Sequence, residues 1–557
     1  MGLRRVFWTA PALLFATVVL AGCGGSSHKQ TRTSVGSTGS ASKTTSTTPS
    51  VKGLATVDDY TYAGPEADHL RVTIYDLRRS GPFVILDFGV VCVQPTSGFP
   101  GCTTENDFAP SQQYGASATE ASFYRSGGVD LIDTAASKEY RPVANVAGRP
   151  ETSLLPFQLP VSSTPALAWA KFPAPPASVT SLDVVFPNGG AQIPSIPIST
   201  APAPTPRGVP AAQPAPGVQP ADSTSTAGLT LPVVNLEATV GNPNGSETNT
   251  PGHSTITLRS DVLFQFDKSN LTPAARTVLA GVAARIKARA TGTVTVTGYT
   301  DSIGTDQVNI PLSQARAASV VAALKPQVAG ANVSFQAAGM GSADPVAPNT
   351  NPDGSDNPAG RALNRRVTIS FAAKTLAPPT PPPAPVAPQQ QPSSPTSRIV
   401  SFSVQDPNTG TTSQYQVTVG QLVRDGAAAV LHLTVTCQAT NPPGGDGCES
   451  GFDLGGTPTV PPFPPFENAS TLNLGYRSVR TASGFYLTDP ASGTQYIPFY
   501  DQDGVPLASA VPENLPVGAT DPVMLYYPAP PANVASVTVT LAGHKVQVAG
   551  LPLVTSG

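Results

Sequence analysis

The stretch Val294-Thr-Val-Thr-Gly298-Tyr-Thr-Asp301, followed by Asn309-Ile-Pro-Leu-Ser-Gln-Ala-Arg-Ala317, holds two periodicities in succession. Val294 and Val296 alternate with threonines, which marks a strand with one buried face. Leu312, Val320 and Leu324 then fall on one side of a helix that is predicted from Asn309 to about Lys325. Asn309 is its expected cap, and Pro326 disfavours continuation. Upstream, Thr272-Pro273 supplies a capping hydroxyl and a proline at the first helical position. Val278, Val282 and Ile286 share the face of the helix that follows. Ile256 to Phe266 reads as a strand, as do Val333 to Ala338 and Val367 to Phe371. Alternation of element types predicts a central α/β domain, a βαβαβ sandwich, over residues 230–373.

The flanks of this domain are one module written twice. Leu77, Gly81, Cys92, Cys102, Gly128, Asp133, Tyr140, Pro173 and Pro197 reappear as Leu422, Gly426, Cys437, Cys448, Gly484, Asp489, Tyr496, Pro528 and Pro552. Leu77 to Cys92 equals Leu422 to Cys437, and Pro173 to Pro197 equals Pro528 to Pro552. Chance does not hold register through separate blocks. Leu431, Leu433, Val435 and Cys437 alternate with polar residues, as do Val84, Leu86, Phe88, Val90 and Cys92, and Val537, Val539 and Leu541. That period of two, broken by Gly, Pro and Asp turns, predicts two all-β sandwich domains, immunoglobulin-like, over residues 53–199 and 398–557. The fold class is therefore multidomain, an α/β centre between duplicated β sandwiches.

The central domain holds the one distinct chemical signature. Phe264-Gln-Phe-Asp267, Leu271-Thr-Pro273, Gly298-Tyr-Thr-Asp301, Asn309 to Ala317, Gly339-Met-Gly341 and Gly360-Arg-Ala-Leu-Asn-Arg-Arg-Val367 occur in that order. Together they resemble the OmpA-like peptidoglycan-binding domain, the family of OmpA and the peptidoglycan-associated lipoproteins. The resemblance implies non-covalent, non-enzymatic binding of cell-wall peptide through its diaminopimelate residue, with no cofactor. It maps Asp301 and Arg316 onto the two residues that hold this group, Asn309 and Leu312 onto the same groove, and Asp267 and Arg365 onto flanking contacts. The chemistry suits the ligand. The free end of diaminopimelate bears an ammonium and a carboxylate, and a guanidinium can take a carboxylate through two parallel hydrogen bonds. Arg316 is also expected near a helix N-terminus, where an anion is favoured. Tyr299 stands where the family usually has His, and Val308 where an aromatic residue is common. Away from this motif, Asp301 and Arg316 would be read as an ordinary structural ion pair.

The N-terminus is a targeting segment. Arg4 and Arg5 precede an apolar run from Val6 to Leu20 that is short for a membrane span. Leu20-Ala21-Gly22-Cys23 resembles a bacterial lipobox, which implies a signal peptide over residues 1–23 and lipid on Cys23. No other segment is apolar enough to span. Lipidation of Cys23 leaves four of the five cysteines. Cys92 with Cys102 and Cys437 with Cys448 each close a short loop at matching places in the duplicate, so two local disulfides are expected in this exported chain. Residues 24–52 are a Ser/Thr-rich tether, 200–229 a Pro/Ala linker and 374–397 a Pro-rich linker. The net charge of −3 shows no basic surface for nucleic acid.

Other leads are weaker. Asn349, Asn351, Asp353 and Gly354 have EF-hand-like spacing, but Gly360 stands where the bidentate Glu is needed, so no metal site is expected. The five His lack metal-ligand spacing, and His432 is expected on the solvated face of its strand. The expected function is a lipid-anchored envelope protein that tethers membrane to peptidoglycan. The lipid would sit on the outer face of the plasma membrane in a single-membraned cell and in the outer membrane otherwise. The rival reading is an adhesion or assembly protein whose β modules bind a protein or glycan.

Overall fold

The computed structural model describes residues 53–374 and 398–555, less 62–67, 96–98, 105–127, 157, 187–191, 203–208, 216, 243, 351–353, 406–410, 442–447, 450–471, 474–477, 480–484, 501–506, 508–513 and 542–545. The expected signal peptide, Cys23, the Ser/Thr-rich stretch 24–52 and residues 375–397 lie outside the described residues. The described chain is mostly β-sheet with few helices. Among the described residues no helix is long and apolar enough to cross a membrane.

The central domain runs β1 (Ala238–Asn242), β2 (Gly245–Thr250), β3 (His253–Arg259), α1 (Ser260–Leu263), α2 (Pro273–Arg289), β4 (Ala290–Gly298), α3 (Asp306–Gln327), β5 (Val333–Gly339), α4 (Pro358–Asn364) and β6 (Arg366–Ala373). The sheet order is β5-β4-β6-β3-β2-β1, with β4 and β5 parallel and the other pairs antiparallel. Val294, Val296, Val367, Ile369 and Phe371 from the sheet pack against Leu279, Val282, Ile286, Ala317, Val320 and Leu324 from the two long helices. The α/β centre is thus formed as periodicity predicts.

Three boundaries differ from the sequence reading. The first strand ends at Arg259, and residues 260–263 form a helical turn in place of the strand expected through Phe266. There the Ser260 amide donates to the Arg365 carbonyl, which turns the chain across the sheet end. Helix α3 starts at Asp306, so Asn309 is not its cap. The Thr305 carbonyl already accepts from the Val308 and Asn309 amides, and Asn309 is buried in the first turn. At the other end the helix passes Pro326 by one residue, where a missing N–H removes little. By contrast, Thr272 caps α2 as expected, its hydroxyl accepting from the Ala275 amide at 3.1 Å.

In the first β module the strands Ala55–Thr61, Asp68–Ser80, Phe83–Gln94 and Ala166–Pro173 form one sheet. It shares a core with a second sheet of Gln192–Pro197, Ser181–Val185, Asp130–Asp133, Lys138–Tyr140 and Val233–Asn235. In the second module Arg398–Gln405, Thr412–Asp425, Ala428–Asn441 and Thr520–Pro528 share a core with Val546–Thr555, Ser536–Leu541, Phe485–Thr488 and Gln495–Tyr496, and the two sets join where Val546–Thr555 pairs in parallel with Thr412–Asp425. Cys92–Cys102 and Cys437–Cys448 are disulfides, with Cα atoms 5.5 and 5.6 Å apart. His432 is half-buried, and burial pushes its imidazole below the usual range, so the expected solvated face is corrected.

The described part of 200–229 does not stand off as a spacer. Buried Lys171 donates to the Pro220 and Ser223 carbonyls at 3.3 and 3.2 Å, and the Gln219 amide donates to Glu151 at 3.2 Å. The chain leaves the first module only after Asn235, because Val233–Asn235 pairs with Lys138–Tyr140. β1 then pairs with Gln495–Tyr496 of the second module. The two β modules meet through Ile132, Leu236, Ala428, Val430, Phe499, Met524 and Tyr526.

Candidate functional site

Two glycines set the geometry at the C-terminal end of the central sheet. A Cβ on Gly298 would lie 2.2 Å from the Ser313 carbonyl oxygen, and one on Gly339 would lie 2.3 Å from the Gln314 nitrogen. Helix α3 therefore rests directly on the ends of β4 and β5. Ser313 fastens this contact, accepting from the Gly341 amide at 2.9 Å and donating to the Ile310 carbonyl at 2.9 Å. The close approach brings the loop after β4, with Asp301, against the face of α3 that holds Arg316.

Asp301 is 8% exposed and Arg316 4% exposed. They do not form an ion pair with each other. One oxygen of Asp301 accepts from the Ile303 amide at 3.1 Å, and the other accepts from Arg365 Nη1 at 2.8 Å. Arg361 Nε lies 3.8 Å from that second oxygen. Arg365 also forks onto Asp261, Nε to Oδ1 at 3.2 Å and Nη2 to Oδ2 at 2.9 Å. Its guanidinium is held above the usual range, first by the hydrogen bond to Asp261. Arg361 is ion-paired to Asp356.

Arg316 has a different environment. Its Nε donates to the Lys268 carbonyl at 3.1 Å, and its guanidinium carbon lies 5.4 Å from the centre of the Phe264 ring. Among the described residues no carboxylate comes within ion-pairing distance of it. Burial pushes its pKa below the usual value, against the opposing pull of Asp267, Asp261 and Asp301. The structure places Arg316 in the middle of α3, well past the first turn, so the helix N-terminus expected to assist it does not act there.

The other expected residues divide. Asn309 is 4% exposed and donates to the Ile303 carbonyl at 3.0 Å, so it braces the loop that carries Asp301. Leu312 is half-buried, one turn before Arg316. Asp267 is exposed at a left-handed position, φ 54°, and acts on Arg316 by charge alone. Arg365 sits at the centre of the acidic contacts described above. Tyr299 stacks on Arg366, whose guanidinium carbon is 3.8 Å from the ring centre. Exposed Phe266, Ile303, Val308, Ile310 and Met340 belong to the loops and helix start around the same sheet end.

Sequence reasoning missed Asp261, Arg361, Asp356 and Asn364. Arg361 and Arg365 lie at helical i, i+4 spacing, a signal that was available. Asn364 is buried, accepts from the Val346 and Ala347 amides at 2.7 and 2.9 Å, and donates to Asn349 at 3.0 Å. Asn349 in turn accepts from the Ser302 amide at 3.3 Å, which ties two loops to α4. Residues 351–353 of the EF-hand-like stretch lie outside the described residues.

Residues 263–358 match the OmpA family. Over 121 residues, 22% of this chain, the sequence is 38% identical to outer membrane protein A of Bordetella avium and covers 59% of it. It is 40% identical to the peptidoglycan-binding protein ArfA of Mycobacterium tuberculosis over 109 residues, 19% of this chain and 31% of that protein. It is 37% identical to the probable lipoprotein YiaD of Escherichia coli over 117 residues, 21% of this chain and 50% of that protein. The chain thus spans less than two thirds of the length of these relatives. The ordered motifs and the sequence match agree, and residues 263–358 of this chain are an OmpA-family domain.

Proposed function

We propose that this chain is an exported, lipid-anchored envelope protein that holds peptidoglycan non-covalently and so tethers a membrane to the wall. The observation that supports it most is Arg316, a buried guanidinium with no carboxylate partner among the described residues, beside a buried carboxylate, Asp301. A desolvated, unpaired cation gains more from an incoming carboxylate than an exposed one does. Asp301 keeps acceptor capacity for an ammonium. The free end of diaminopimelate carries the two charges that such a pair would meet. The OmpA-family match over residues 263–358 and the likeness to a peptidoglycan-binding protein point the same way.

The anchor rests on Leu20-Ala21-Gly22-Cys23 and on the likeness to a probable lipoprotein. A Cys23→Ser variant is the corresponding check, since it should leave the membrane fraction. The β modules are read as immunoglobulin-like on their strand order, with a short hairpin beside the penultimate strand of each.

The test is co-sedimentation with purified sacculi. Asp301→Ala and Arg316→Ala should each weaken binding by on the order of 2–5 kcal/mol, because each leaves a charge without its partner in the complex. Wild-type sedimentation of both variants would overturn the assignment.

A further inference from the structure

Charge at the site is distributed unevenly, and the distribution has a use. Asp261, Asp301 and Asp356 stand against two guanidinium groups, Arg361 and Arg365. Arg365 places Nε and Nη2 on Asp261 and has only Nη1 for Asp301. Arg361 is ion-paired with Asp356 and stays 3.8 Å from Asp301. Three carboxylates thus share two guanidinium groups, and the cluster around Asp301 keeps one surplus negative charge. Arg316, unpaired, retains one positive charge. These three acids and three guanidinium groups sum to zero, with the surplus charges on separate groups; exposed Asp267 adds a further negative charge that acts on Arg316.

We propose that Asp261, assisted by Asp356, is a specificity-determining residue that keeps Asp301 anionic in net effect, so that the site selects a ligand end bearing both a free ammonium and a free carboxylate. This rests on the wall-binding reading. Asp261 acts through Arg365 and is a positioning residue. Without it, Arg365 is left to neutralise Asp301 alone, the ammonium subsite loses its field, and the site becomes one for a simple carboxylate. The prediction for substrate class is direct: stem peptides whose diaminopimelate amine is acylated by cross-linking are disfavoured, and uncross-linked ones are selected.

The experiment uses the full chain and two probes, a disaccharide tripeptide containing diaminopimelate and the same compound acetylated on the free diaminopimelate amine. Wild type should prefer the free amine by roughly tenfold, the scale of one partly screened charge contact. Asp261→Asn should lose most of that preference by weakening the free-amine form alone. Asp356→Asn should lose less, because Asp356 is the more exposed acid, and Asp261→Glu should restore the preference. Thermal unfolding of each variant separates lost selectivity from lost fold; the Asp261 side chain is 45% exposed, so little destabilisation is expected. An unchanged preference in Asp261→Asn, or equal weakening of both probes, would overturn the proposal. If wild type binds neither probe, the wall-binding reading itself fails.

Discussion

Lys171 is 0% exposed in the first β module, with Glu151 at 1% and their charged groups 3.9 Å apart. Burial pushes the lysine down and the glutamate up from their usual pKa values. The two hold each other and the stretch around Pro220. Glu151→Ala should cost about 3–5 kcal/mol in chemical denaturation, because it leaves a buried cation uncompensated. A Glu151→Leu, Lys171→Met double variant should recover most of that loss. At the site the residue scale explains what was legible. Asp301 and Arg316 were readable because each sits inside a short motif with a fixed place on a strand end or a helix. Asp261 was not, since its partner Arg365 is 104 residues away and an isolated Asp before an apolar pair has no signature.

Helix α3 shows what an element needs beyond periodicity. Its apolar face was legible from Val320 and Leu324, both fully buried. Its start was not, because the cap is Thr305 with no side-chain hydrogen bond, and nothing local distinguishes it from Asn309. Its seat depends on Gly298 and Gly339, neither of which needs a positive φ; they are required by closeness alone. Gly339→Ala should destabilise the chain by about 1–3 kcal/mol or more, since the new methyl meets backbone that cannot yield cheaply. It should also weaken sacculus binding by moving Arg316 away from Asp301. Gly281→Ala in α2 is the contrasting case. Its nearest neighbour would be Arg285 Nη1 at 3.8 Å, so the substitution should stabilise by about 0.5–1 kcal/mol. Melting curves of the two variants should therefore shift in opposite directions.

At the scale of the molecule, residues 233–242 give one strand to each β module and so pin the two together. The junction is apolar at its centre and acidic at its edge. Tyr526 donates to Asp183 at 2.7 Å, and Thr134 donates to Asp425 at 2.7 Å, with Asp133 nearby. Burial pushes Asp183 up to about 6 from 3.8. A carboxyl raised in this way binds more protons folded than unfolded between those two values. Its contribution to stability is therefore greatest below the lower value and is lost as pH rises through the upper one. The swing is about 3 kcal/mol at most. Asp133, also raised by burial, acts in the same direction, while Asp58, held low by Arg71, acts in the opposite one. Calorimetry of Asp183→Asn against wild type should show the variant gaining relative stability as pH rises from 3.8 to about 6. A pH-independent difference would remove Asp183 from this role.

The amino-acid order alone determined the α/β centre, the β character of both flanks, the two short disulfides and the OmpA motif. Each of these is written in local spacing, where one residue's neighbours in the chain are also its neighbours in space. Only the tertiary structure decided that Arg316 has no ion-pair partner among the described residues, that Arg365 joins Asp261 to Asp301, and that residues 233–242 pair with both β modules. Those contacts join residues far apart in sequence, and they depend on how closely helix, strand and loop approach, which no local pattern encodes.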